Sequence, residues 1–237
     1  MVAMSHELIT YYDDATGERS GLTAGELGSW TAATAALLTA ECGLARGSRA
    51  GVLLPPHWQT AAVLLGAWAA GIEVAFRGWS TAGLAPDTGP PLDAVFVERR
   101  RVGSWLEDVP EAPHRFVLGL APHGAPTPDV PHGYRDFPAV VRDHLGTPPP
   151  ADGVGLREVA TVDGTTYGEY GVVAAEVARN RGIGPGDRLL IDATASEEPL
   201  TWLMSPLTAG ASIVICANLD RTLLDARIAA EGITHFD

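Results

Sequence analysis

Two stretches of this chain follow one plan at a fixed offset. Gly47-Ser48-Arg49 precedes the apolar run Ala50–Leu54, a helix-like stretch, Ala70-Gly71 and a second apolar run, Ile72–Phe76. Gly186-Asp187-Arg188 precedes Leu189–Ile191, a helix-like stretch, Ala209-Gly210 and the run Ala211–Cys216. Counting from Gly47 to Gly186, or from Gly71 to Gly210, gives 139 residues both times. An alanine-rich helical segment leads each copy, Ala24–Cys42 and Tyr167–Arg181. Each copy thus reads helix, strand, helix, strand. Short β-rich runs separated by helices predict parallel strands joined by crossover helices. Two copies are too few for a solenoid. The expected fold class is α/β, with two related lobes of mainly parallel sheet flanked by helices.

The remaining punctuation fills in the plan. Residues 8–22 read as a β-hairpin around Asp14–Gly17. Residues 94–97 and 116–120 read as two further strands, with the amphipathic Val102–Val109 between them. Residues 121–133 carry four prolines and read as an exposed loop, and Pro138–Leu145 as a short helix. Thr147-Pro-Pro-Pro-Ala-Asp-Gly153 is a stiff, polar linker. It divides the chain into an expected first lobe, 1–146, and an expected second lobe, 154–237.

Composition narrows the function classes. Apolar residues make up 46% and charged residues 19%, values that suit a packed core over wholesale disorder. The net charge of −13 is even, −6 over 1–150 (10 basic, 16 acidic) and −7 over 151–237 (6 basic, 13 acidic). That distribution lacks a nucleic-acid binder's basic footprint and opposes loading of ATP or CoA. The two cysteines, Cys42 and Cys216, lie 174 residues apart without metal-ligand or redox spacing, and read as packed thiols of a cytoplasmic protein. The first residues lack the pattern of a signal peptide. The longest apolar run, Ala61–Ala75, is broken by Glu73 and two glycines and is too short to cross a bilayer, so no membrane association is expected.

One segment carries chemistry. Residues 163–171 read Asp-Gly-Thr-Thr-Tyr-Gly-Glu-Tyr-Gly. The segment resembles the Ser-Gly-Thr-Thr-Gly-x-Pro-Lys-Gly phosphate loop of the adenylate-forming, or acyl-CoA synthetase, superfamily. Asp163 stands at the first Ser, Glu169 at the Pro and Tyr170 at the Lys. The whole chain contains no lysine. Compositional bias accounts for Arg replacing Lys on a surface, but Arg at residue 170 would have kept the charge. The block Gly47–Gly71 is similar to that superfamily's Gly-Asp-Arg strand, Leu-Pro-Asn turn and following helix. Pro206–Gly210 with Ile213–Cys216, and then Ile228–Phe236, resemble its next two elements in order.

The resemblance implies the front part of the superfamily's large N-terminal domain. In the family the acyl pocket, adenine platform, ribose-binding Asp, hinge and lysine-bearing C-terminal domain follow later, and they have no counterpart among these residues. Triphosphate binding needs backbone N–H donors and compact positive charge. Gly164, Thr165, Thr166 and Gly168 are the candidate nucleotide contacts of a degenerate loop. No catalytic residue is assigned and no cofactor is expected beyond weak ATP or AMP with magnesium. The same residues also read without any ligand: Thr23–Glu26 and Thr166–Glu169 both fit the Ser/Thr-x-x-Glu box that starts a helix.

Other constellations are weaker. Pro113-His114, Pro122-His123 and Pro131-His132 recur every nine residues, but without Cys or carboxylate partners at ligand spacing they read as chance repetition, and no metal is assigned. Arg99-Arg100-Arg101 reads as a solvated turn. His57 and Trp58 follow one strand's carboxyl end, and Thr194 and Ser196 follow its counterpart, where α/β proteins commonly hold ligands. These four mark a candidate cleft, against the simpler reading of Trp58 and Trp68 as core and His57 as a cap. The expectation is a catalytically impaired ligand-binding or interaction module that self-associates or binds a protein partner. The alternative is an ATP-dependent ligase subunit completed by a partner chain.

Overall fold

The computed structural model describes residues 7–82, 91–106 and 108–236. Ten strands form two five-stranded sheets. The first sheet contains β3 (Arg49–Leu53), β4 (Glu73–Phe76), β5 (Ala94–Glu98), β6 (His114–Leu118) and β7 (Arg135–Asp136), ordered β4-β3-β5-β6-β7 and parallel throughout. The second contains β1 (Glu7–Asp13), β2 (Glu18–Thr23), β8 (Arg188–Asp192), β9 (Ser212–Ala217) and β10 (His235–Phe236), ordered β10-β8-β9-β1-β2. Only the β1–β2 pairing is antiparallel. The helices are α1 (Ala24–Ala36), α2 (Trp58–Ala69), α3 (Phe137–Arg142), α4 (Tyr167–Asn180), α5 (Ser205–Ala209) and α6 (Leu224–Glu231). Single π-helical turns continue α1 over Leu37–Glu41 and precede α5 over Leu200–Met204.

The duplication read from the sequence is present bond for bond. Arg49 pairs in register with Glu73, and Arg188 with Ser212, each pair offset by the same 139 residues. The Arg49 N–H donates to Asp93 Oδ2 at 2.8 Å, while the Asp93 N–H donates to the Arg49 carbonyl at 2.8 Å. Thr234 does the same for Arg188, accepting its N–H on Oγ1 at 2.9 Å and donating to its carbonyl at 2.9 Å. Gly47 donates to the Gly71 carbonyl at 2.9 Å, and Gly186 to that of Gly210 at 3.0 Å. Gly47 and Gly186 have φ of +80° and +85°, which only glycine adopts without strain.

Sheet membership does not follow chain order. The chain separates into two compact units, one holding residues through Leu27, Pro56–Trp58 and Tyr170 onward, the other Gly28–Pro55 and Gln59–Glu169. This departs from the expected lobes 1–146 and 154–237. The N-terminal hairpin joins the C-terminal strands because β9 offers β1 a parallel edge from Ile9↔Ile213 to Asp13↔Ala217. Residues beyond the linker stay with the first sheet because the edge of β4 needs partners. Val74 donates to the Ala160 carbonyl at 2.9 Å, and Val162 donates to the Val74 carbonyl at 3.2 Å. The proline-rich linker is exposed and without regular structure, as its composition predicts, and Arg46 Nη2 donates to the Asp152 and Gly153 carbonyls at its end, at 2.9 and 3.1 Å.

Each unit has its own core. β5 is buried along its whole length, matching its near-continuous apolar sequence. Leu53, Val95 and Val97 form a buried cluster against Val102, Val109, Ala112 and Tyr134. Val102 and Val109 therefore face the core as their amphipathic pattern suggests, but outside any helix or strand, Val102 lying in a turn beside Gly103 at φ +78°. In the other unit, Leu190, Val214 and Cys216 pack with Tyr12, Leu219, Leu224 and Ile233. Arg227 and Asp14 form a buried ion pair there, Nη1 to Oδ2 at 3.0 Å and Nη2 to Oδ1 at 2.5 Å. No helix among the described residues is long and apolar enough to cross a membrane.

Candidate functional site

The segment Asp163–Gly171 forms a tight turn running into α4. Gly164 at φ +93° makes the turn, and Asp163 closes it. Asp163 Oδ1 accepts from Thr161 Oγ1 at 2.5 Å, the Thr165 N–H at 3.0 Å and Thr165 Oγ1 at 2.8 Å. These bonds, Thr161's foremost, hold the Asp163 carboxyl below the usual carboxylate range. Thr166 and Glu169 complete the capping box: Glu169 Oε2 accepts the Thr166 N–H at 2.9 Å and its Oγ1 at 2.7 Å, and the Glu169 N–H returns to Thr166 Oγ1 at 3.3 Å. The Glu169 carboxyl is likewise held low, first by the Thr166 backbone bond. Thr23 and Glu26 form the same box at the start of α1.

The backbone donors of the turn are all engaged from within. The Gly164 N–H donates to the Thr161 carbonyl at 2.9 Å, Tyr167 to Glu158 at 3.0 Å and Gly168 to Leu156 at 2.8 Å. Together with Thr165, Thr166 and Glu169, this gives six consecutive N–H groups with partners inside the protein. A Cβ on Gly168 would lie 3.0 Å from the Leu156 carbonyl oxygen, so glycine permits that close approach.

Side chains lock the segment further. Tyr167 Oη donates to the Trp68 carbonyl at 3.0 Å, and Trp68 Nε1 to the Ala160 carbonyl at 3.0 Å. Burial pushes the Tyr167 phenol above its ordinary range. The Arg46 guanidinium pairs with Glu158 at 2.6 Å. Residue 170, where the resemblance expects a lysine, is a half-buried tyrosine. The residues therefore do not fit a magnesium triphosphate: the donors are spent, two carboxylates line the turn and the compact cation is missing. Sequence reasoning found the turn and its cap. It missed the Leu156 and Glu158 carbonyls, because partners nine and twelve residues upstream leave no local pattern.

The other candidates differ in exposure. His57 and Trp58 are fully buried, with the His57 ring edge-on to Tyr11 at 4.3 Å between centroids. Burial pushes the imidazole down to about 3, so it stays neutral near pH 7 and is closed to a ligand arriving from solvent. Thr194 is exposed, its N–H and Oγ1 donating to Asp192 Oδ1 at 2.9 and 2.7 Å, and the Ser196 N–H donates to the Asp192 carbonyl at 3.1 Å. Both belong to the turn that ends β8. His114 lies on β6, while His123 and His132 are exposed on the proline-rich loop, and no metal-binding group of three occurs among the described residues. Arg101 corrects the solvated-turn reading of 99–101: it is 2% exposed, its guanidinium donating to the Arg77 carbonyl at 2.9 Å beneath the Trp79 ring. The carbonyls that end β4 need donors, and a long side chain can supply them from β5's end.

Known proteins frame this geometry. The chain is 37% identical over 230 residues to the "TIGR03089 family protein" of Mycobacterium tuberculosis, covering 95% of this chain and 89% of that one. The chain belongs to the TIGR03089 family. No family model matches it. The N-terminal domain of FACL13 from Mycobacterium tuberculosis superimposes with a TM-score of 0.67 at 16% identity, covering 97% of this chain and 58% of that one. Acetoacetyl-CoA synthetase from Streptomyces lividans gives 0.68 at 21% identity, covering 99% and 40%. The anthranilate CoA ligase AuaEII in complex with anthranoyl-AMP gives 0.67 at 15%, covering 100% and 47%. The chain thus spans roughly half the length of these solved structures and shares the fold of their N-terminal part, as the sequence resemblance implies.

Proposed function

We propose that this TIGR03089 family protein is a catalytically impaired relative of acyl-CoA synthetases that works in the cytoplasm as a binding or interaction module. One observation carries the reading: the six N–H groups from Gly164 to Glu169 all have internal acceptors. Anion binding at a helix start needs those donors turned outward. Tyr170 in place of a cation supports the same conclusion, because charge stabilisation at a transferring phosphate is worth orders of magnitude in rate. Free Cys42 and buried Cys216 agree with a reducing compartment.

Calorimetric titration with Mg-ATP, AMP and a non-hydrolysable acyl-adenylate tests the proposal. The expected result is no binding heat from any of the three. Micromolar binding that disappears on changing Thr165 and Thr166 to Val would overturn it. That outcome would establish the alternative, a ligase subunit completed by a partner that supplies the catalytic lysine.

A further inference from the structure

We draw no further inference here: the strongest candidate, the apolar patch of Leu156, Val172 and Val173 on the exposed face of α4, carries nothing because nothing in the structure shows what covers it.

Discussion

Restoring a lysine at residue 170 does not restore phosphate binding by this loop. For a triphosphate to use the turn, the N–H groups of Gly164, Thr165, Tyr167 and Gly168 must leave the acceptors they hold at 2.8–3.0 Å. An intramolecular hydrogen bond is worth about 0.5–1.5 kcal/mol net, so releasing four costs about 2–6 kcal/mol. A new charge-assisted contact from a lysine returns about 1.5–3 kcal/mol. Micromolar affinity requires about 8 kcal/mol in total. Tyr170→Lys alone therefore stays silent in a titration with Mg-ATP up to about 1 mM. The triple variant Asp163→Ser, Glu169→Pro, Tyr170→Lys removes the carboxylates that hold the Thr165 and Thr166 donors and makes the loop three charges more positive. It gains measurable affinity, at the cost of the helix cap. If Tyr170→Lys by itself bound ATP at micromolar levels, the internal bonds would be cheap to break and the argument from spent donors would be wrong.

Further measurements probe the scaffold. Asp14→Ala strands a buried guanidinium that also meets Cys216 Sγ at 3.3 Å, and should destabilise the protein by about 3–5 kcal/mol in urea unfolding. Replacing the pair together, Asp14→Leu with Arg227→Met, should recover most of that loss. The His57 imidazole titrates near 3 in the folded state and about 6.5 when unfolded, so between these values the unfolded chain binds one proton more. Its contribution is fully present above pH 6.5 and falls by about 1.4 kcal/mol per pH unit below it; His57→Asn should flatten that part of the stability curve by one proton. Asp14 has the opposite reference, its carboxyl held low by Arg227, so its contribution persists above its unfolded value near 3.8 and fades only in stronger acid. Glu169→Ala should lower the melting temperature while Glu169→Gln does not, because Gln preserves the capping box.

What the sequence reveals, and what it hides, divides along one physical line. Periodicity, caps and turns are local, and they were legible: both Thr-x-x-Glu boxes close, the hairpin turns at Asp14–Gly17, and Pro138–Leu145 yields the helix Phe137–Arg142. Sheet membership is non-local. Nothing in residues 8–22 says that their partner strand lies some two hundred residues on, and nothing in 160–162 says that they will cover the edge of β4. The buried Arg101 belongs to the same class, since its acceptors are carbonyls of another strand's end.

The duplication sharpens this point for the candidate site. Helix leader, strand and glycine turn recur in both copies, and so does the side chain that accepts from each strand's opening arginine, Asp93 in one and Thr234 in the other. Those elements keep their geometry under different side chains because backbone bonds specify them. The turn before α4 is held by both kinds of bond, the carbonyls of Thr161, Glu158 and Leu156 and the side chains of Asp163, Thr166 and Glu169. Its cap has the geometry of the cap on α1, which nothing in the sequence marks as a phosphate loop. A stable cap in both copies means that the turn needs no ligand to hold its shape.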